Sequence, residues 1–312
     1  MNLSAIIPCF NEELNIALAY EQVTKVLSEY DKYEIIFIDD GSTDGTLSLI
    51  KEIAIKDSRV KYISFTRNFG VEAATRYGYL YAAYDWCIHY DADLQWPPGE
   101  TGKLVEKANE GYDAVFGIRN NRQDKLYRIV GTKGQQFIAR KLLLIELPKG
   151  ASTFRLIKTS VARKVIFHPT KTAYFIATLP LITGNYTTIE INHNKRLHGK
   201  SKFGLRKMLN HSCELFWGFS DRMLNFSAIA FVISIIAFVI VFAFAVIHPA
   251  YGNKLLLVFL CILSLILLLS KAISDQYLKY SVPNHPHHDI AYVKQSNIDS
   301  CVKERITCCD AN

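Results

Sequence analysis

The 312-residue chain reads as an α/β protein, a mostly parallel sheet with helices on both faces, followed by a C-terminal hairpin of two transmembrane helices. Three observations predict this. Short β-rich runs alternate with helical periodicity over the first ~120 residues, the pattern of parallel strands joined by crossover helices. Polar clusters fall where those runs end, which is where open α/β sheets bind ligands. Residues 223–247 contain no Asp, Glu, Lys or Arg, a stretch longer than the roughly 20 apolar residues that span a bilayer core.

Taken in order, residues 3–7, 34–38, 60–65, 86–90 and 114–118 are the expected strands. Between the first two, Leu14, Leu18, Val23, Val26, Leu27 and Tyr30 approximate one helical face. Thr43 and Asp44 stand where a helix over 45–54 needs its cap. A further helix is expected over 126–144 and a β-rich run over 186–192. Residues 203–224 mix Phe203, Leu205, Met208, Leu209, Leu215 and Phe216 with Arg206 and Lys207, as an amphipathic segment lying on a membrane does. A second apolar run, 255–270, is bracketed by Lys254 and Lys271, whose long stems reach the interface. The expected division is a cytosolic α/β domain over 1–200, an interfacial segment over 201–222, membrane helices at about 223–247 and 254–274, and a cytosolic tail over 275–312.

The formal charge of +7 gathers partly around the hairpin: Lys200, Lys202, Arg206, Lys207 and Arg222 precede it, and Lys271 and Lys279 follow it. The turn between the helices has no Lys or Arg, so the positive-inside rule puts both termini in the cytoplasm. The basic excess suits anionic lipid headgroups and phosphates; no nucleic-acid-binding motif accompanies it. The seven cysteines show no ligand spacing, and Cys9, Cys87 and Cys261 sit in apolar runs, as reduced thiols do. No basic leader precedes the first strand, so insertion is expected to rely on the hairpin. The sequons at Asn185 and Asn225 are expected to be idle.

The stretch WCIHYDADLQWPP, residues 86–98, delivers Asp91 and Asp93 from the end of a strand. Paired carboxylates so placed suit Mg2+ or Mn2+, hard cations that bind through one or two carboxylates plus substrate phosphates. The plain alternative is a surface turn. The segments PCFNEE (8–13), IDDGSTDGT (38–46), FTRNFG (65–70), DADLQ (91–95), FRL (154–156) and RLHGKSK (196–202) occur in this order along the chain. In that order they resemble the family 2 glycosyltransferases that load a sugar onto a polyprenyl phosphate. The chain is most similar to the bactoprenol (undecaprenyl-phosphate) glucosyltransferases and the aminoarabinose transferase, and more distantly to dolichyl-phosphate mannose synthase. The resemblance runs through the hairpin into HHDIAYVKQ near the end.

The resemblance implies a GT-A-type, Rossmann-like fold. It implies that Pro8, Phe10, Glu12 and Asp40 line the base and ribose pocket, with Arg67 also on the nucleotide-sugar side, and that Asp91 and Asp93 hold the metal and diphosphate. Gln95 would sit beside them, and Arg119 and Arg128 near the donor or acceptor phosphates. Arg155, Arg196, Ser201 and Lys202 are the expected clamps on the acceptor phosphate; Asp93, Arg155, Arg196 and Lys202 are the expected catalytic set. The plain alternatives are a helix cap for Glu12, a turn brace for Asp40, a solvated charge for Arg119 and a basic juxtamembrane patch for residues 196–202.

The implied partners are a nucleotide sugar, a polyprenyl phosphate and the lipid bilayer, with self-association through the hairpin. A flippase and a downstream membrane glycosyltransferase would take the product toward cell-surface glycan such as O-antigen. UDP-glucose is the expected donor, with UDP-galactose, an N-acetylhexosamine, GDP-mannose or a modified arabinose as alternatives. Thr153, Trp96, Gly99 and Val71 depart from the family pattern, which carries Asp before Phe-Arg, Asp and Glu in DLQDPPE, and Lys or His at the last position. Those departures motivate a second reading, a catalytically degenerate homologue that binds nucleotide sugar or scaffolds membrane partners. A processive polysaccharide synthase is the third; its Gln-x-x-Arg-Trp signature is not in this sequence.

Overall fold

A computed structural model describes residues 1–119, 131, 134–170, 172, 174–192, 194, 205–220, 222–247, 252–280 and 293–298. Eight strands form one sheet: β1 (Asn2–Cys9), β2 (Lys32–Asp39), β3 (Val60–Phe65), β4 (Trp86–His89), β5 (Ala114–Arg119), β6 (Arg155–Lys158), β7 (Tyr186–Ile191) and β8 (Val293–Ser296), in the order β7-β5-β6-β4-β1-β2-β3-β8. The helices are α1 (Glu13–Leu27), α2 (Thr46–Lys56), α3 (Val71–Tyr81), α4 (Thr101–Ala108), α5 (Thr159–Phe167), α6 (Phe175–Ile182), α7 (Leu205–Phe219), α8 (Arg222–Ile247) and α9 (Gly252–Tyr280).

The centre of the sheet follows from its composition. β1 and β2 are runs of Ile, Ala, Leu and Phe buried on both sides, as parallel strands under two helical layers are. Leu3, Ala5 and Ile7 pack with Ile16, Val23 and Leu27 of α1, Ile50 of α2 and Leu104 of α4. Ile6, pointing the other way, packs with Ala74 and Tyr77 of α3, Ala162 of α5 and Phe175 of α6. Alternation along one strand therefore seeds two cores. The helical face expected of α1 holds at Val23 and Leu27 but not at its start: Leu14 is 73% exposed, and Ile16 and Ala19 are buried in its place. Gly78 lets α3 lie close to β1, since a Cβ there would meet Ile6 Cγ2 at 2.2 Å.

The expected strands are all present, but the sheet is less parallel than the sequence suggests. β6 runs antiparallel between β4 and β5, with Arg155 opposite His89. Its four residues carry too short a period to separate strand from loop. α3, α4, α5 and α6 are also additions to the sequence reading. Residues 126–130 of the expected 126–144 helix lie outside the described residues; 134–137 are helical and run into a π-helical turn, Ile138–Leu142, after which Leu144 adopts φ 54°.

The C-terminal region differs most from expectation. β8, in the segment read as a tail, pairs antiparallel with β3, and Asn297 fixes it by accepting Tyr62 N–H at 2.7 Å and donating to the Val60 carbonyl at 3.1 Å. α8 and α9 are helices of 26 and 29 residues that pack together, with the Phe238 and Phe259 rings 4.2 Å apart. Ile229, Val232, Ile233, Ile236, Val239 and Ile240 of α8 are exposed. Among the described residues no helix is long and apolar enough to cross a membrane. The Ser220 hydroxyl donates to the Leu143 carbonyl, and Arg222 Nη1 to the Leu142 carbonyl, tying the base of α8 to the π turn.

Candidate active site

Three loops meet at the carboxyl ends of β1, β2 and β4. After β1, Asn11 takes a left-handed conformation at φ 51° and its amide oxygen accepts Thr43 N–H at 2.8 Å. Its own N–H donates to Ser42 Oγ, and Glu12 N–H to Thr46 Oγ1, each at 2.9 Å. The PCFNEE and GSTDGT segments are thereby stitched together. Glu12 occupies the N-cap position of α1 without capping it by its side chain; its carboxylate accepts Asn15 Nδ2 at 2.6 Å. The cap of α2 is close to expectation: Asp44 accepts Thr46 N–H at 3.0 Å, with Gly45 at the N-cap. Pro8 and Phe10 are half-buried beside this seam.

After β2, two buried aspartates serve different loops. Asp39 accepts Ser42 N–H at 3.1 Å and Ser64 Oγ at 2.8 Å. Asp40 accepts the Phe69 and Gly70 N–H groups at 2.7 and 2.9 Å, so its carboxylate braces the FTRNFG loop. Burial raises its proton affinity; the two backbone donors oppose this and nearby Asp39 adds to it, leaving the pKa above the ordinary value. Gly41, at φ 70°, permits the approach of that loop, since a Cβ would meet the Arg67 backbone at 2.4 Å. Arg67 itself is exposed and lies over the Phe69 ring at 4.7 Å.

After β4 the DADLQ turn closes on itself. Leu94 N–H donates to the Asp91 carbonyl, and Leu94 sits at φ 54°, a conformation β-branched and bulky residues avoid. Gln95 N–H donates to Asp93 Oδ1 at 3.1 Å, and Asp93 is 6% exposed. Asp91 retains 30% side-chain exposure; Thr153 Oγ1 donates to its Oδ2 at 2.8 Å, and His89 Nε2 stands 3.5 Å from its Oδ1. That second contact is long for a hydrogen bond, and His89 has no shorter partner on either ring nitrogen among the described residues. Burial lowers the proton affinity of the imidazole, against the pull of Asp91, and holds its pKa below the usual value. Burial also works against the Asp91 anion, but His89, the Thr153 hydroxyl and the charge of Arg155 together outweigh it and hold the carboxyl below its usual range.

Trp96 is 2% exposed, stacked on Phe154 with centroids 5.9 Å apart, and Arg119 lies over its ring at 5.5 Å. The residue that departs from the expected aspartate is therefore part of the core under the site. Arg155 is 3% exposed, its Nε donating to Tyr79 Oη and its guanidinium 4.2 Å from the Phe175 centroid. It stands behind Asp91 and His89 rather than at an open surface. Arg128, Arg196, Ser201 and Lys202 lie outside the described residues. A small cleft lined by Glu72, Arg76, Tyr174 and Phe175 holds none of the residues singled out from sequence.

Pro8, Phe10, Glu12, Asp40, Asp91, Asp93 and Gln95 are thus gathered at one edge of the sheet. Ser42, Thr46, Ser64, His89 and Tyr79 complete the framework; sequence reading missed them because single hydroxyls and an imidazole, spread over a loop, two strands and two helices, carry no spacing of their own. Among the described residues no cluster of three or more His, Cys, Asp or Glu side chains forms a closed metal cage. Two carboxylates, one of them open to solvent, make the hard, incomplete donor set that Mg2+ or Mn2+ shares with phosphate oxygens.

An open α/β sheet whose acidic loops meet at the carboxyl ends of its strands has the build of the nucleotide-binding α/β enzymes. The chain belongs to glycosyl transferase family 2, which matches residues 4–166. The family read from the motifs is the one to which it belongs, and the chain is a glycosyltransferase. It is 30% identical to the protein CsbB of Bacillus subtilis (strain 168) over 309 residues, covering 95% of this chain and 92% of that one. It is 31% identical to the undecaprenyl-phosphate 4-deoxy-4-formamido-L-arabinose transferase of Aeromonas hydrophila, over 67% of this chain and 64% of that one. Its fold matches crystal structures of glucosyl-3-phosphoglycerate synthase from Mycobacterium tuberculosis. The one with phosphoglyceric acid gives a TM-score of 0.52 at 17% identity, over 69% of this chain and 78% of that chain. The one with Mn2+, UDP-glucose and phosphoglyceric acid gives 0.50 at 18%, with the same coverage.

Proposed function

We propose that this glycosyltransferase moves a hexose from a nucleotide sugar, UDP-glucose foremost, to undecaprenyl or another polyprenyl phosphate, inverting the anomeric carbon. The observation that carries the reading is the arrival of Asp91 and Asp93 on the loop after β4, beside the acidic loops after β1 and β2. A divalent cation, Mg2+ or Mn2+, held by these two carboxylates and the donor diphosphate would supply charge neutralisation for the departing nucleoside diphosphate. In this reading Pro8, Phe10, Glu12, Asp40 and Arg67 frame the base and ribose, and Gln95, Arg119 and Arg128 face the phosphates. Arg196, Ser201 and Lys202 hold the acceptor phosphate, while the buried Arg155 acts through the field it sets up beneath Asp91.

The attacking group is a lipid phosphate oxygen. A phosphate monoester has a second pKa of about 6, so near neutral pH it is already an anion and positioning matters more than proton removal. Thr153, which offers no base, is compatible with that chemistry. The name of the Aeromonas relative supports the acceptor class and keeps a formamido-arabinose donor as the second reading. Small pocket differences separate related sugars by only about 1 to 3 kcal/mol, so the donor is a matter for assay.

A lipid acceptor calls for a membrane anchor, and we assign it to α8 and α9. The uncharged run 223–247 supports this. So does the path of the chain: β7 before the helices and β8 after them belong to one sheet, which fits an even number of crossings with the domain on one side.

The test is transfer of radiolabelled sugar by the purified full chain into organic-extractable undecaprenyl phosphate. The donor panel is UDP-glucose, UDP-galactose, UDP-N-acetylglucosamine, GDP-mannose and the UDP-linked formamido-arabinose. Transfer that stops with EDTA and returns with Mn2+ or Mg2+ is expected. Binding of nucleotide sugar with no transfer from any donor would instead identify a degenerate homologue.

A further inference from the structure

Thr153 stands where the resembling enzymes carry an aspartate, yet it is fixed as firmly as a working residue. Ser152 N–H and Oγ both donate to the Gly117 carbonyl, at 3.2 and 2.7 Å, and Gly117 N–H donates to the Phe154 carbonyl at 2.9 Å. Phe154 is fully buried against Trp96. The backbone on both sides of Thr153 is therefore tied to β5 and to the core. Its one polar group, the hydroxyl, donates to Asp91 Oδ2 at 2.8 Å.

We infer that Thr153 is a positioning residue for Asp91, holding the carboxylate in the orientation in which it meets a divalent cation. This rests on the reading of Asp91 and Asp93 as metal ligands. A carboxylate offers about four acceptor directions. One is taken by Thr153 and one side is met by His89 at 3.5 Å, so acceptor capacity remains for an ion while the side chain loses its freedom to rotate. The Thr153 hydroxyl carries no charge, so it does not compete with a cation for the carboxylate. An aspartate at position 153 would instead face Asp91 with a like charge, and the pair would need a cation between them to stay ionised. Position 153 of this chain thus offers a hydroxyl that prepares the metal ligand before the metal arrives.

The test is Mn2+ binding by the full-length protein in detergent, followed by electron paramagnetic resonance with UDP or GDP present. Thr153→Val, which keeps shape and removes the donor, should weaken Mn2+ by about 10-fold, the scale of lost outer-shell support. Thr153→Ser should stay close to wild type. Should Val not fold, judged by circular dichroism, Thr153→Ala reads the same loss. Val or Ala binding Mn2+ like wild type, or Ser weakening it as much as Val does, overturns the inference and leaves the metal assignment standing. A wild-type protein that binds no Mn2+ with either nucleotide overturns the metal assignment itself. Thr153→Asp should melt lower than wild type in EDTA and recover with Mn2+; equal melting in EDTA would show that position 153 does not press on Asp91.

Discussion

Arg155 donates from Nε to the Tyr79 hydroxyl at 2.8 Å, joining the strand opposite His89 to the helix beneath the sheet, with 3% of the arginine exposed. Burial pushes the Tyr79 phenol up to about 12, so the pair meets as cation and neutral hydroxyl. Tyr79→Phe leaves a buried guanidinium short of one acceptor and should cost about 1 to 3 kcal/mol. Thermal unfolding in detergent measures it. A neutral result would mean that Arg155 reaches another acceptor without strain.

Asp93→Asn should abolish transfer while the protein stays folded, because it removes an anionic ligand and almost no volume. With several kcal/mol of charge stabilisation at stake, turnover should fall by about 100-fold or more. Undiminished turnover with a native circular dichroism spectrum contradicts the metal assignment.

Lys202→Ala should raise the KM for lipid phosphate more than the KM for nucleotide sugar, as expected of an ammonium that meets the acceptor headgroup. Equal changes in both would assign Lys202 to general membrane attraction.

Asp57 gives a pH signature far from the site. It accepts Arg59 Nε and Nη2 at 2.8 Å each and Tyr20 Oη at 2.9 Å, and the Arg59 hydrogen bonds bring its pKa down to about 2. A depressed carboxyl stabilises the fold above its unfolded pKa of about 4, and that stability drains away as pH falls through about 2. Arg59 is 48% exposed, so screening holds the contribution to on the order of 1 kcal/mol. Asp57→Asn should lower unfolding stability at pH 7 and converge with wild type near pH 2. A gap that persists at pH 2 would assign the effect to shape instead of charge.

Asn297→Ala should loosen β8 from β3 by removing two hydrogen bonds, about 1 to 2 kcal/mol together. Faster amide exchange at Tyr62, whose N–H the Asn297 side chain accepts, is the expected readout. Unchanged exchange would mean that the strand ladder alone holds the edge.

Much of the site was legible from the residues themselves. Asp91 and Asp93 stand two positions apart and belong to one local turn, so local chemistry found them. Asp40 shows the limit of that reading: the same carboxylate suits a ribose or a turn, and only the positions of Phe69 and Gly70 reveal that both oxygens are engaged by backbone. Arg155 shows it from the other side. A guanidinium two residues after Thr153 reads as a phosphate clamp, whereas the approach of Tyr79 and Phe175 from separate helices turns it inward.

The runs that become β1 to β5, the two-sided core and the acidic turns were determined by the chain alone, because alternation and turn chemistry act over a few residues. The antiparallel insertion of β6, the return of Val293–Ser296 to the β3 edge and the hydroxyl of Thr153 against Asp91 were decided by the tertiary structure. Each joins residues at least 39 positions apart in the chain, and contacts across such distances leave no period in the sequence, since they exist only once the sheet has brought the partners together.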